Sequence, residues 1–100
     1  MKIVAIMCVE EHSGMARKLL RELKVPAFSE SEIMGHKLGS DDAGENWFAD
    51  KQSMDNSHLF FTMCDEDMAD RILQSVEKCK QQINQNHVHA FVLNVEKYIK

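Results

Sequence analysis

The residues best suited to chemistry in this sequence are three cysteines and five histidines. Cys8, Cys64 and Cys79 lie far apart, odd in number and without a C-x-x-C pair, so no disulfide framework is present. Reduced thiols inside a cytoplasmic protein are the expectation. A cysteine becomes a nucleophile when a base stands beside it. No spacing in the chain places a base beside any of the three, and no residue is assigned a catalytic role. The carboxylate pairs Glu10-Glu11, Asp41-Asp42 and Glu66-Asp67 fall in loops and helix starts, where acids are solvated or complement the helix dipole.

The histidines offer metal chemistry. His87 and His89 are two apart and share one side of a strand. His36 and His58 bracket a long polar stretch. If the strands flanking it pair antiparallel with His36 opposite His58, the two imidazoles meet at its neck. A third donor would complete a site for Zn, Cu or Ni, which makes His36 and His58 the candidate metal ligands. The alternative is that these histidines make ordinary hydrogen bonds at a surface or interface. Seven methionines suit either soft-metal chemistry or core filling. The M-x-C-x-x-C site of heavy-metal domains is absent, because Met7-Cys8 is followed by Val9-Glu10-Glu11-His12.

A second candidate site is anionic in preference. Gly35, His36, Lys37 and Gly39 combine backbone amides with a cation and could bind a small anion. Gly35, Gly39 and Gly44 match neither G-x-G-x-x-G nor the P-loop pattern. Trp47-Phe48 either docks a partner or folds back on its own subunit or a neighbour.

The elements that must position these residues emerge from periodicity. Residues 2–9 are nearly all apolar and read as a strand buried on both faces. Residues 10–24 take helical spacing, with Ser13 as N-cap, Met15, Ala16, Leu19, Leu20 and Leu23 on one face, and Pro26 as the stop. Residues 27–36 alternate as a second strand with Phe28, Glu30, Glu32, Met34 and His36 on one side. From 37 to 57 the periodicity vanishes, which predicts a loop of the long kind that is usually functional or disordered. Residues 58–64 form a third strand. Asp65 caps a helix running to about 84, with Ala69, Ile72, Leu73, Val76, Cys79 and Ile83 on its apolar face. Residues 88–95 form a fourth strand. The order β-α-β-β-α-β is the α+β, ferredoxin-like plan with a four-stranded antiparallel sheet, in a single domain over residues 1–100.

Charge and composition narrow the partners. The chain of 100 residues carries a net charge of −4 and a pI near 5.7, unlike the basic surface that nucleic acid requires. No apolar run reaches the ~20 residues of a membrane span, so no direct membrane insertion is expected. Met1-Lys2-Ile3-Val4 enters the first strand without the separate apolar region of a signal peptide.

One copy does not bury its own sheet. Both helices of this plan cover one face, and the other should alternate to polar residues in a monomer. Here strand one offers Ile3, Ala5, Met7 and Val9 to one side and Val4, Ile6 and Cys8 to the other. Strands three and four are apolar on both sides too. Each buried Val, Ile or Phe is worth ~1.5–3 kcal/mol, so oligomerisation through the open face is expected.

The plan resembles the P-II signalling superfamily, and most of all its short, divergent P-II-like members. The matching pieces, in order, are Leu23-Lys24-Val25 leading to Phe28; Gly35 closing strand two; Gly44 followed by Trp47; Met54-Asp55-Asn56 before strand three; Asp65-Glu66-Asp67 opening helix two; and Ala90-Phe91-Val92-Leu93-Asn94-Val95-Glu96 near the end. They span essentially the whole chain. The resemblance implies a homotrimer with ligand sites between subunits near the base of the long loop. It further implies a non-enzymatic regulatory protein whose loop binds or releases a membrane transporter or metabolic enzyme. Gly35, His36, Lys37, Gly39, Gly44 and Trp47 are then the ligand-binding candidates, with a small anionic effector or a transition-metal ion as ligand. One branch of the superfamily is associated with heavy-metal efflux, and the related CutA proteins with divalent-metal tolerance. The family's T-G-x-x-G-D-G-K phosphate stretch is absent, since the corresponding place reads Cys79-Lys80-Gln81-Gln82-Ile83-Asn84-Gln85-Asn86. The only tyrosine is Tyr98, so uridylylation of a loop tyrosine is excluded, and nitrogen sensing does not carry over.

Overall fold

The structure is a computed structural model that describes residues 1–36, 54–83 and 87–99. The apolar run at the N-terminus forms β1 (Lys2–Val9), and a 3-10 turn at Glu10–His12 leads into α1 (Ser13–Glu22). The hairpin strands are β2 (Ser29–His36) and β3 (Met54–Cys64), followed by α2 (Glu66–Ile83) and β4 (Val88–Asn94). The sheet has four strands in the order β2-β3-β1-β4, with every pairing antiparallel. This is the expected ferredoxin-like plan.

Helix termini follow their local chemistry, with one correction. Asp65 accepts the backbone N–H of Met68 at 2.9 Å and so caps α2 as expected. Ser13 does not cap α1. It is the first helical residue, and its hydroxyl donates to the Glu10 carbonyl at 2.9 Å, because the preceding 3-10 turn already supplies that acceptor. α1 ends in a Schellman motif. Lys24 N–H donates to Arg21 O at 2.9 Å and Val25 N–H to Leu20 O at 3.1 Å, with Lys24 at φ 61°. Val25 and Leu20 are both buried in the core beneath this turn. A lysine in the left-handed region carries a Cβ penalty that glycine lacks. Lys24→Gly is therefore expected to raise stability by about 0.5–1 kcal/mol in urea denaturation.

The core lies between the helices and one face of the sheet. It joins Val4, Ile6, Cys8, Phe60 and Val88 to Ala16, Leu19, Leu20, Ala69, Ile72 and Val76. Phe60 is fully buried, with its ring 6.2 Å from that of Phe28. Thr62 also points inward and satisfies its hydroxyl on the Ala27 carbonyl at 2.6 Å. The other face carries Ile3, Ala5, Met7, Leu59, Phe61, Met63, Phe91 and Leu93 by strand alternation. Of these, Phe61, Met63 and Leu93 are 42%, 47% and 49% exposed. The two-sided apolar pattern is thus real, and one side lacks cover within the chain.

The third strand is longer than its side chains announce. Asp55, Asn56 and Ser57 show no apolar alternation, which places residues 54–57 in the loop on pattern alone. They pair with β2 all the same, Met54 opposite His36 and Ser57 opposite Ile33. Backbone hydrogen bonds across a hairpin need no apolar side chains, so the strand continues where the pattern stops.

Candidate functional site

Lys37, Gly39, Gly44 and Trp47 lie outside the described residues. Gly35 is buried opposite Asp55 in the hairpin, and His36 is exposed at the last position of β2. His58 stands opposite Glu32 on β2 and Cys8 on β1. The register is therefore not the one that sets His36 facing His58. Four residues of β2 separate their cross-strand positions, roughly 13 Å of extended chain. No group of three or more His, Cys, Asp or Glu among the described residues is placed to hold a metal ion. The metal reading of His36 and His58 thus has no geometric support here.

What the fold builds instead is a polar cluster at the hairpin's inner face. Glu30 sits on the side of β2 that faces the helices, and its carboxylate accepts three N–H bonds. Arg17 of α1 supplies two, Nε to Oε1 and Nη2 to Oε2, both at 2.9 Å. His58 of β3 supplies the third, Nδ1 to Oε2 at 2.8 Å. A carboxylate only accepts, so the imidazole carries its proton on Nδ1. Arg17 Nη2 also reaches the Ser13 hydroxyl at 3.3 Å. The His58 side chain is 9% exposed, against 26% for Glu30 and 35% for Arg17. His58 also stacks on Phe60 at 6.3 Å between ring centroids. The cluster ties α1, β2 and β3 together within the strands that carry residues 37–53.

Its electrostatics argue against nucleophilic chemistry. Burial, with Glu30 adding and Arg17 opposing, pushes the Cys8 thiol up to about 11. Burial and the neighbouring Asp65 also raise the Cys64 thiol. Neither is a thiolate near neutral pH, the state a nucleophile or soft-metal ligand needs. Hydrogen bonds from Arg17 lead the effects that hold the Glu30 carboxyl below its ordinary range, and the His58 bond adds to them. A carboxyl depressed in the fold contributes stability above its unfolded pKa, ~4.3, and loses it as pH falls through the folded value. Acid unfolding of the wild type should therefore steepen below about pH 4.3, whereas Glu30→Gln should flatten that limb. The same substitution weakens the acceptor for the buried His58 N–H and should lower neutral-pH stability by about 1 kcal/mol in urea denaturation.

On the same side, Glu10, Glu32, Met34, Asn56 and His58 border a cavity of about 230 Å³. Two carboxylates line it, so this part of the hairpin does not favour an anion. Ser57 alternates to the opposite side, where its buried hydroxyl finds no hydrogen-bond partner among the described residues.

Sequence reading missed Arg17 and Glu30. A signal for Glu30 existed: it alternates with Phe28 and so points a carboxylate toward the helix layer, within reach of the cations of α1. Nothing in one sequence singles out Arg17 from the other cations of α1.

No family model matches the sequence, and no curated protein matches it. Solved structures do share its architecture. A protein described as PII-like and signalling, from Thermus thermophilus, superposes with a TM-score of 0.65 at 19% identity, over 94% of this chain and 84% of that one. A DUF3240 family protein from Shewanella baltica gives 0.69 at 11% identity, over 99% and 93%. CPII from Thiomonas intermedia, in a structure bound to ADP, AMP and acetate, gives 0.65 at 14% identity, over 92% and 82%. With a core packed between both helices and one face of the sheet, an uncovered apolar face on the other and a long β2–β3 connection, the chain has the fold of the PII-like signalling proteins.

Proposed function

We propose that the protein is a non-enzymatic regulatory subunit that assembles as a homotrimer through its open sheet face and responds to a small anionic effector bound between subunits. The uncovered apolar face carries this reading: Phe61, Met63 and Leu93 are each more than two-fifths exposed on a sheet whose other side is packed against the helices. Covering them with a second copy restores the hydrophobic gain that a monomer forgoes. The shared fold supports a regulatory role. The Thiomonas protein's bound ADP, AMP and acetate are all anions, which favours an anion over a metal as effector. In this reading Gly35 and His36 begin the effector site, and Lys37, Gly39, Gly44 and Trp47 continue it. The connection between β2 and β3 contacts a target, a membrane transporter or an enzyme, by exchanging between bound and released forms.

Native mass spectrometry of the full chain tests this, followed by titration with ADP, AMP and acetate and, separately, with Zn, Cu and Ni. A trimer that takes up one of the anions in up to three copies is the expected result. A monomer overturns the assembly. A trimer that binds metal and no anion overturns the effector class.

A further inference from the structure

The open face is not wholly apolar, and one of its polar positions is a histidine. The β1–β4 register sets His89 opposite Met7, on the side that also carries Phe91 and Leu93. It thus belongs to the surface through which copies are proposed to meet, and any role in assembly rests on that reading. We propose that His89 makes assembly of this protein proton-sensitive: copies associate through the open face while the imidazole is neutral and separate when it takes up a proton.

The surroundings of His89 set the sign. Across β1 the neighbour is Met7, while the titratable Cys8 alternates to the covered face. From α2, Glu77 and Lys80 line with His89 and Phe91 a cavity of about 440 Å³ at the sheet edge. On its own strand His87 is two residues away. Lys80 and His87 oppose a further positive charge, and Glu77 is the single nearby acid among these groups. Burial, then Lys80, then His87 lower the imidazole's proton affinity even within one chain. Packing a second apolar face against it removes more water and penalises the charged form further. The group is therefore harder to protonate in the assembly than in the separate chain. Association is insensitive to pH above the separate chain's pKa, and it weakens as pH falls below that value.

The stoichiometry sharpens the effect. Three subunits each take up one proton on separation, so the trimer's association constant falls up to about a thousandfold per pH unit in that window. The protein concentration at half-assembly then rises by about 30-fold per pH unit. Ile3, Ala5, Met7 and Val9 of β1, Ser57, Leu59, Phe61 and Met63 of β3, and Phe91 and Leu93 of β4 carry no titratable group on this face; Asp55 shares it by alternation, opposite Gly35 at the β2 end of the sheet and away from His89.

Sedimentation velocity of the full chain between pH 8 and pH 5.5 reads this directly, with circular dichroism confirming that the chain stays folded. The wild type should be assembled at pH 8 and separate on acidification. His89→Gln should stay assembled throughout, His89→Arg should be separated at pH 8, and His87→Gln should still separate on acidification, at a midpoint no lower than that of the wild type. A wild-type trimer indifferent to pH, or a His89→Gln trimer that separates at the wild-type midpoint, overturns the role of His89 and leaves the trimer standing. A wild-type chain that is monomeric at pH 8 overturns the trimer reading and this inference with it.

Discussion

Phe60→Ala should lower the stability of the chain by about 3–5 kcal/mol. Phe60 is 0% exposed, the largest of the fully buried side chains, and sits at the centre of β3 beneath both helices. Its ring packs against Phe28 at the start of the hairpin and is stacked by His58. Truncation removes the transfer energy of the ring and leaves a cavity between a sheet and two helices that cannot collapse onto it together. A domain of this size has ~5–15 kcal/mol to lose, so the variant should sit near its unfolding midpoint at modest urea concentrations. Urea denaturation should show a lowered midpoint with an unchanged slope. A loss below about 1 kcal/mol would mean that the core is not organised around this ring.

The next residue should behave in the opposite way. Phe61→Asp is expected to leave the chain folded and to dissolve the proposed trimer. Successive strand side chains point to opposite faces, so Phe61 leaves the core that Phe60 fills and stands 42% exposed on the open face. About two-fifths of its transfer energy is still to be gained, on the order of 1 kcal/mol per subunit. Three subunits bring that to roughly 3 kcal/mol, a factor of more than a hundred in the association constant, before the cost of desolvating a carboxylate is added. Native mass spectrometry should show a monomer with wild-type circular dichroism. A Phe61→Asp trimer would place the contact between copies elsewhere than the open face.

Much of the fold is legible in the sequence because it rests on side-chain periodicity. The apolar run of β1, the 3.6-residue stripe of Ala16, Leu19 and Leu20, the Asp65 cap and the excess of apolar residues on both faces of the sheet can each be read from neighbours in sequence. So can the unsuitability of the three cysteines as a disulfide framework. The ferredoxin-like order and the expectation of a second copy on the open face come from these alone.

Register and backbone pairing settle the rest, and they exist only in the folded chain. The first four residues of β3 are held by hydrogen bonds that leave no mark on side-chain pattern. The register of β2 against β3 is visible only in the paired strands, and a shift of a few residues moves His58 from His36 to Glu32 without changing either strand's alternation. The Arg17–Glu30–His58 cluster is the result of that register. Its members are scattered along the chain and look like three ordinary surface charges until strand pairing brings Glu30 beside a buried imidazole and helix packing lays Arg17 across the carboxylate. Periodicity is a property of each segment and survives in the sequence; the meeting of charges from three segments is a property of how they are docked.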